Sequence, residues 1–278
     1  SLTIVAFGTS APELLISLNA TLSGASGIAI GNVVGSNIAN VLLVLGIPAL
    51  LFTFDTSKCE TQKSYFFMLL ATTVFILLSF TGGFGFWQGA ILLAFLAYYV
   101  WKNFEVAKKH RAEDDGDCAD SVSELEEADS NLATWKIIAF LVVGFVGLPI
   151  GADLLVHNAS VIAYRFGVSD AVIGLTLIAV GTSLPELATT VVSAYRNQAE
   201  VALGNVIGSN IFNLLAIIGI TAMVDYIAVA PLFMQFDLWV MLASSLLLIP
   251  FVLYRMHLTR VWGLLLTALY LGYLHFIT

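Results

Sequence analysis

The sequence predicts an all-α polytopic membrane protein, with about nine transmembrane helices here and ten in the intact protein, forming two inverted-topology repeats of five. An apolar composition, an internal duplication and a one-sided distribution of basic residues predict it. Of the 278 residues, 59% are hydrophobic and 11% are charged, with a mean hydropathy of +0.94. A soluble domain carries about 25% charged residues. The apolar residues fall into blocks of about 17–25, the length that a helix needs to cross a bilayer.

The duplication is visible in two short motifs. Gly-Thr-Ser-Ala-Pro-Glu-Leu at residues 8–14 returns as Gly-Thr-Ser-Leu-Pro-Glu-Leu at residues 181–187. Around these motifs, residues 2–47 align without a gap to residues 175–220, and nearly half of the aligned positions are identical. Self-similarity of this extent indicates a duplicated structural unit.

The hydrophobic blocks divide the chain into spans. We predict them at residues 1–22, 28–51, 64–81, 85–101, 135–160, 170–194, 200–223, 234–254 and 258–277. The span at 135–160 precedes the second copy and has no counterpart before the first, so we expect that an N-terminal portion is missing. The predicted division is a truncated first repeat (1–101), an acidic loop (102–134) and a second repeat (135–278).

The basic residues predict the orientation. If the spans alternate, ten of the eleven Lys and Arg residues fall on one side and only Arg165 on the other, which marks the first side as cytoplasmic. Leu2 then enters the membrane from the cytoplasm and Leu175 from outside, so the copies are inverted. We expect a multi-pass protein of the bacterial inner (plasma) membrane, with a cytoplasmic acidic loop and an outside C-terminus.

The net charge of −8 comes mostly from one loop. Residues 102–131 hold ten acidic and four basic residues, a net −6. Their spacing does not match an EF-hand, so a solvated, disordered linker is the better interpretation. Nothing in the composition suggests a nucleic-acid partner, and the sequence leaves the oligomeric state open. Cys59 and Cys118 lie in different polar loops, which predicts neither a disulfide nor a metal site.

The polar residues inside the spans form stripes. Thr9 and Glu13 lie four residues apart and share one helix face, as do their mates in the second copy. The next span repeats the pattern with three polar residues at the same spacing. In the second copy, Thr182 and Glu186 correspond to Thr9 and Glu13. The three residues of the next span are Asn32, Ser36 and Asn40, which correspond to Asn205, Ser209 and Asn213. If the copies are inverted, the four stripes meet at the centre of the protein. Their side chains offer hard oxygen donors, which suit Ca²⁺, Na⁺ or Mg²⁺.

The prolines predict broken helices. Pro12 cannot donate a hydrogen bond to the carbonyl of Gly8, nor Pro185 to that of Gly181. Freed carbonyls persist in a membrane only where they face protein, a cavity or an ion. We therefore expect discontinuous helices near the midplane, with carbonyls at residues 6–8 and 179–181 that coordinate a cation. Inverted repeats with such interrupted helices are typical of transporters.

The cost of burying the two glutamates favours a functional role. A carboxylate at the bilayer centre costs about 2.5–3.5 kcal/mol on insertion scales. The alternative is that protonated Glu13 and Glu186 merely bond neighbouring helices. For Asn32 and Asn205, interhelical hydrogen bonding explains the residues about as well as ion binding. The glycine pairs at 31/35 and 204/208 predict close helix packing.

At these residues the chain resembles the cation/Ca²⁺ antiporter superfamily, specifically the prokaryotic Na⁺/Ca²⁺ exchangers. Both copies carry Gly-Thr-Ser-x-Pro-Glu-Leu followed by Gly-Asn-Val-x-Gly-Ser-Asn-Ile-x-Asn. The resemblance implies a secondary active transporter, not an enzyme, that exchanges Na⁺ for Ca²⁺ by alternating access. It implies no cofactor; its partners are the transported ions, Ca²⁺ and Na⁺, and the lipid bilayer.

The resemblance also implies a ligand set. Ca²⁺ would lie between Glu13 and Glu186, with backbone oxygens from Thr9 and Thr182. The Na⁺ sites would use those glutamates and the following mates: Ala6 and Ala179, Ser10 and Ser183, Ser36 and Ser209. Asn40 and Asn213 complete the set at the central, non-calcium position. Many relatives carry Asp at position 213, and Asn there argues against K⁺ dependence.

Two other functions remain open on the sequence alone. The first is H⁺/Ca²⁺ exchange with the same glutamates as proton carriers, although the proton-coupled branch tends to carry Gly-Asn-x-x-Glu in place of Gly-Thr-Ser-x-Pro-Glu. The second is a passive cation channel, although channels favour rings of oxygen from several subunits. An intramembrane enzyme is disfavoured, because the polar stripes contain no His and no nucleophile–base pair.

Overall fold

The structure is a computed structural model. It describes residues 8–56, 59, 61–114 and 165–277 and isolated positions between 143 and 161, and most of these residues are helical. The α-helices are α1 (Ala11–Leu22), α2 (Ser26–Ala39), α3 (Gly46–Leu51), α4 (Gln62–Ser79), α5 (Phe86–Asp114), α6 (Asp170–Ile173), α7 (Ala179–Thr182), α8 (Leu184–Tyr195), α9 (Ala199–Phe212), α10 (Ile218–Val224), α11 (Leu238–Leu246), α12 (Ile249–Val252) and α13 (Arg260–Ile277). π-Helical turns at Asn40–Val44, Gly174–Ile178, Asn213–Ile217 and Phe233–Asp237 join several of these.

Within the described residues, five continuous helices are long and apolar enough to cross a membrane. They are Ser26–Leu51, Gln62–Ser79, Ala199–Val224, Phe233–Val252 and Arg260–Ile277. The pair Ala171–Thr182 and Leu184–Tyr195, bent by 43°, makes a sixth if it counts as one span. The protein is thus a multi-pass, mostly helical membrane protein, as predicted.

The largest difference between the predicted and the observed bounds is at the end of the fourth span. That span was predicted to end at residue 101, but α5 continues to Asp114. The part of the acidic loop up to Asp114 is therefore helical, because the residues after 101 include Glu, Lys and Ala, which favour helix. The predicted span 135–160 and most of the acidic loop lie outside the described residues.

Two helices form the centre of the molecule. Within an 18-residue apolar stretch of each span, 83% is buried in Ser26–Leu51 and 89% in Ala199–Val224, against 22% in Arg260–Ile277. The same two spans carry the Asn and Ser stripes. Lipid cannot solvate polar side chains, so the stripes lie where neighbouring helices can provide partners.

Glycines let the central helix α2 approach the second copy closely. A Cβ added to Gly35 would lie 2.7 Å from the carbonyl oxygen of Leu175 and 2.7 Å from the Cβ of Ala179. A Cβ on Gly31 would lie 2.9 Å from the carbonyl oxygen of Ala171. The close packing predicted for this glycine pair is confirmed.

Equivalent contacts recur between the two copies. Strand β1 (Gly83–Phe84) pairs antiparallel with β2 (Ile227–Ala228), and Phe54 forms a separate antiparallel bridge with Leu258. Phe54 lies 173 positions before Ile227, and Phe84 lies 174 before Leu258, so the corresponding positions of the two contacts have nearly the same separation as the duplicated motifs. The two-residue strands are the β-structure that an all-α prediction omitted.

Candidate cation-binding site

Both motif helices break at the serine of the motif. Ser183 ends the turn of α7 with φ −80° and ψ 3°, and α8 then begins at Leu184 with Pro185 in its first turn. Ser10 has φ −84° and ψ 6°, and α1 begins at Ala11 with Pro12 in its first turn. The predicted break is confirmed two residues after Gly181, because proline is favoured in a first turn and removes the hydrogen bond behind it.

The breaks place Glu13 and Glu186 in first helical turns, where the positive end of the helix dipole favours a carboxylate. Both side chains are 0% exposed. Both oxygens of Glu13 and the Oε2 atom of Glu186 are buried without a hydrogen-bond partner among the described residues. The two carboxyl groups are close enough to interact electrostatically. A bound cation would give these buried carboxyl oxygens the partner that they lack.

Hydroxyl groups surround the two carboxyls. Ser10 Oγ donates to Glu186 Oε1 at 3.5 Å, which links the first copy to the second. The hydroxyls of Thr9 and Ser209 also face Glu186, and that of Thr182 faces Glu13. These contacts bring together motif residues that are about 170 positions apart in the chain.

The hydroxyl of Thr182 connects α7 to two residues of α2. It donates to Asn32 Oδ1 at 3.2 Å and lies 3.3 Å from Ser36 Oγ. The carbonyl oxygen of Ala179 faces the hydroxyls of Ser36 and Thr182 at 3.5 and 3.4 Å and accepts the amide of Ser183 at 3.1 Å. This carbonyl, expected as a Na⁺ ligand, therefore already has protein donors around it.

The mates Asn32 and Asn205 differ in the structure. Asn32 Nδ2 donates to Ser17 Oγ at 2.9 Å and to the carbonyl of Glu13 at 3.2 Å, and its Oδ1 accepts from Thr182. Asn205 Nδ2 donates to Thr189 Oγ1 at 2.9 Å, but its Oδ1 is buried and has no partner among the residues that the structure describes. Interhelical bonding explains Asn32 fully and Asn205 only in part.

Asn40 and Asn213 are linked crosswise between the copies. Asn40 Nδ2 donates to Asn210 Oδ1 at 3.1 Å, and Asn213 Nδ2 donates to Asn37 Oδ1 at 3.3 Å. Both site asparagines are 0% exposed, and the Oδ1 atom of each is buried without a partner in the part of the chain that the structure describes. Each begins a π-helical turn, a feature that occurs often at functional sites.

The structure brings most of the predicted ligands into one buried cluster. Ser183 Oγ and Ser209 Oγ add two more buried oxygens that form no hydrogen bond within the described ranges. Ala6 lies outside the described residues. Among the described residues no group of three or more His, Cys, Asp or Glu could hold a metal, which fits a site with only two carboxyls. Such a set of neutral and acidic oxygens suits hard cations.

Sequence reasoning missed three polar residues in the spans. Asn37 and Asn210 occur in the quoted motif but lie off the four-residue stripe, and only their motif position could have signalled a role. Asp237 is 2% exposed and accepts a hydrogen bond from Tyr273 Oη at 3.0 Å. An acid within a predicted span was itself a signal for it, but Asp237 lies outside the aligned segment of the duplication.

Comparison with known proteins identifies the family. The model of the sodium/calcium exchanger protein family matches residues 1–104 and 136–278. The sodium/calcium exchanger MaX1 of Methanosarcina acetivorans is 35% identical, over 98% of this chain and 86% of that protein. The inner membrane protein YrbG of Escherichia coli is 36% identical, over 88% of this chain and 75% of that protein.

A solved structure agrees with the sequence matches. The sodium-calcium exchanger NCX_Mj, soaked with Na⁺ and Ca²⁺, superposes with a TM-score of 0.74 and 32% identity, and the match covers 99% of this chain and 84% of that one. The resemblance to the cation/Ca²⁺ antiporters is confirmed. The chain belongs to the sodium/calcium exchanger family.

Proposed function

We propose that this protein exchanges Na⁺ for Ca²⁺ across the bacterial inner membrane by alternating access, with Ca²⁺ bound between Glu13 and Glu186. The observation that carries the proposal is the pair of fully buried carboxyls, three of whose four oxygens lack a partner among the described residues. Its relatives include a protein named a sodium/calcium exchanger and a solved sodium-calcium exchanger. Membership of their family supports cation/Ca²⁺ exchange rather than enzymatic activity or a bound cofactor.

The charge of the site explains how exchange would be coupled. Two carboxylates neutralise one Ca²⁺, and Na⁺ ions would use the same oxygens. Ca²⁺ and Na⁺ therefore cannot occupy the site at the same time. An empty site leaves two carboxylates close together in a medium of low dielectric constant, which is costly. The protein then changes access readily only when loaded, and one ion is exchanged for the other.

The proposed ligand set is the one that the resemblance implies, and the cluster of described residues around the glutamates supports part of it. Around the glutamates it comprises Thr9, Thr182, Ser10, Ser183, Ser36, Ser209, Ala6, Ala179, Asn40 and Asn213. Neutral oxygens would stabilise Na⁺ without adding charge. The Gly-Thr-Ser-x-Pro-Glu motif in both copies favours Na⁺ over H⁺ as the coupling ion.

The proposed topology is nine spans in this chain, inverted repeats at 1–101 and 135–278, a cytoplasmic loop at 102–134 and a C-terminus outside. The reciprocal contacts support a two-fold relation between the repeats, and the positions of the basic residues support the inversion. The Asn40–Asn210 and Asn213–Asn37 pairs are related by exchange of the two copies, and so, to within one position, are the Phe54–Leu258 and Phe84–Ile227 pairs. Exchange of equivalent partners is what a two-fold relation between repeats produces.

The test is Na⁺-gradient-driven uptake of ⁴⁵Ca²⁺ into proteoliposomes. Glu13→Gln and Glu186→Gln should each abolish uptake, because the amide removes the charge that Ca²⁺ needs. Asp237→Asn is the matched control, since it makes the same change at a buried acid away from the cluster, and it should leave most of the uptake intact. Undiminished uptake in both glutamine variants would refute the proposal, and uptake driven by a pH gradient without Na⁺ would replace Na⁺ by H⁺ as the coupling ion.

A further inference from the structure

The direction of two amide groups decides whether the central position can accept a cation at all. An asparagine side chain presents a carbonyl oxygen on one side and an NH₂ group on the other. Only the oxygen can bind a cation, and a rotation of the amide would point two donor hydrogens at it instead. Asn40 and Asn213 have no charge of their own to prevent that rotation, so other residues must fix their direction.

The neighbouring asparagines supply this control. Asn210 Oδ1 accepts from Asn40 Nδ2 at 3.1 Å, and Asn37 Oδ1 accepts from Asn213 Nδ2 at 3.3 Å. Each bond occupies the NH₂ group of a site asparagine and leaves its Oδ1 buried, with no hydrogen-bond donor among the described residues. Both bonds cross between the copies and leave the helix that carries the site asparagine.

Asn37 and Asn210 are themselves held in the required direction. Asn210 Nδ2 donates to the carbonyl oxygen of Asn37 at 3.4 Å, and Asn37 Nδ2 donates to Met241 Sδ at 3.7 Å. If either amide rotated, its NH₂ group would face the NH₂ group of the site asparagine from which its Oδ1 now accepts a hydrogen bond. Both residues are 1% exposed, so no water would compensate for the lost bonds.

We propose that Asn37 and Asn210 are positioning residues, which orient the carbonyl oxygens of Asn213 and Asn40 toward a cation at the centre of the site. This inference rests on the proposed function, since it assumes that a cation is bound there. Residues that orient a ligand in this way typically change metal affinity by about 10- to 100-fold when they are replaced. Neither residue touches the ion in this account.

The crosswise pairing gives a specific test, a set of double-mutant cycles. Asn37→Leu removes the acceptor of Asn213, and Asn210→Leu removes that of Asn40, with little change of side-chain shape. We expect each to weaken Na⁺ binding by about tenfold or more, measured as the Na⁺-dependent rise of the melting temperature of the purified protein. In a background of Asn213→Leu, the further effect of Asn37→Leu should vanish, because its partner is gone.

The control cycles pair each positioning residue with the wrong site asparagine. Asn37→Leu with Asn40→Leu, and Asn210→Leu with Asn213→Leu, should couple less strongly than the bonded pairs, because no side-chain hydrogen bond between described residues joins the two members of a wrong pair. A purely structural role would give the same coupling in the right and wrong pairs, and that result would overturn the inference. Met241→Leu removes only the thioether acceptor and should change Na⁺ binding much less than Asn37→Leu.

Two further results separate the possible failures. If the unmodified protein shows no Na⁺- or Ca²⁺-dependent stabilisation, the proposed function fails with the inference. If it binds both ions and the right pairs couple no more strongly than the wrong pairs, only the inference fails. If a leucine variant is not monodisperse, the same cycle is read with Asn37→Thr and Asn210→Thr, and coupling or additivity there decides the matter.

Discussion

At the scale of single residues, the site depends on which oxygen atoms are already occupied. Thr182 illustrates this, because its hydroxyl donates to Asn32 Oδ1 and also lies beside Ser36. Asn32 then has no free polar atom, although its mate Asn205 keeps an unpartnered oxygen. The two copies have the same motif but not the same hydrogen bonds.

Thr182→Val should destabilise the protein. The change leaves Asn32 Oδ1 buried without a donor, which costs about 1–3 kcal/mol. Thr182→Ser keeps the hydroxyl and is the matched control, with a much smaller loss expected. Thermal unfolding in detergent without added ions measures both, and equal melting temperatures for the two variants would show that the hydroxyl does not stabilise the helix contact.

The stripes could be predicted at this scale, but the occupied oxygens could not. A spacing of four residues is enough to place Asn32, Ser36 and Asn40 on one helix face. The donor to each oxygen depends on how helices cross, and sequence spacing does not contain that information. Asp237 shows a second limit, since an argument built on the duplication overlooks an acid outside the aligned segment.

At the scale of elements, the fold is governed by the two central helices and their close approach to the other copy. Gly35 lies against Leu175 and Ala179, and backbone contact there positions the carbonyl of Ala179 beside Ser36. Packing is a main source of helix association in membranes, and small residues allow it. The glycine pattern predicted this contact.

Gly35→Ala should therefore lower stability, by about 1–3 kcal/mol, because the added methyl group has no space. Gly272→Ala is the matched control, since Gly272 is also helical but a Cβ there meets no atom within 4 Å. We expect this control to be neutral or to stabilise by about 0.5–1 kcal/mol, as alanine is the better helix former. A similar loss of melting temperature in both variants would contradict the packing argument.

The π-helical turns are the part of the elements that the sequence did not reveal. Two of the four begin at Asn40 and at Asn213, which are repeat mates, so a similar local sequence adopts the same irregular turn in both copies. An extra residue in a helical turn changes neither hydropathy nor the caps, which are the signals used to predict helices. The proline breaks, by contrast, could be predicted because the missing amide hydrogen has a definite consequence.

At the scale of the whole molecule, the proposed shared site requires that the two copies have opposite orientations in the membrane. Ser23 and Arg196 are exposed repeat mates at the ends of α1 and α8. Inversion places them on opposite sides, with Ser23 outside and Arg196 in the cytoplasm. Basic residues predict the same sides.

Single cysteines at these two positions test the inversion, in a background where Cys59 and Cys118 are replaced by serine. A membrane-impermeant thiol reagent added to intact cells should label Ser23→Cys. It should label Arg196→Cys only after the membrane is permeabilised. Labelling of both positions from the same side would mean that the copies are parallel, and the shared site would have to be rebuilt.

The central claim is that one acid from each copy contributes to a single Ca²⁺ site that Na⁺ also occupies. Equilibrium binding of ⁴⁵Ca²⁺ to the purified protein, titrated with Na⁺, measures this most directly. We expect one Ca²⁺ per chain, competitive displacement by Na⁺, and loss of binding in Glu13→Gln and in Glu186→Gln alike. Ca²⁺ binding that persists in either variant, or that Na⁺ does not displace, would contradict the claim.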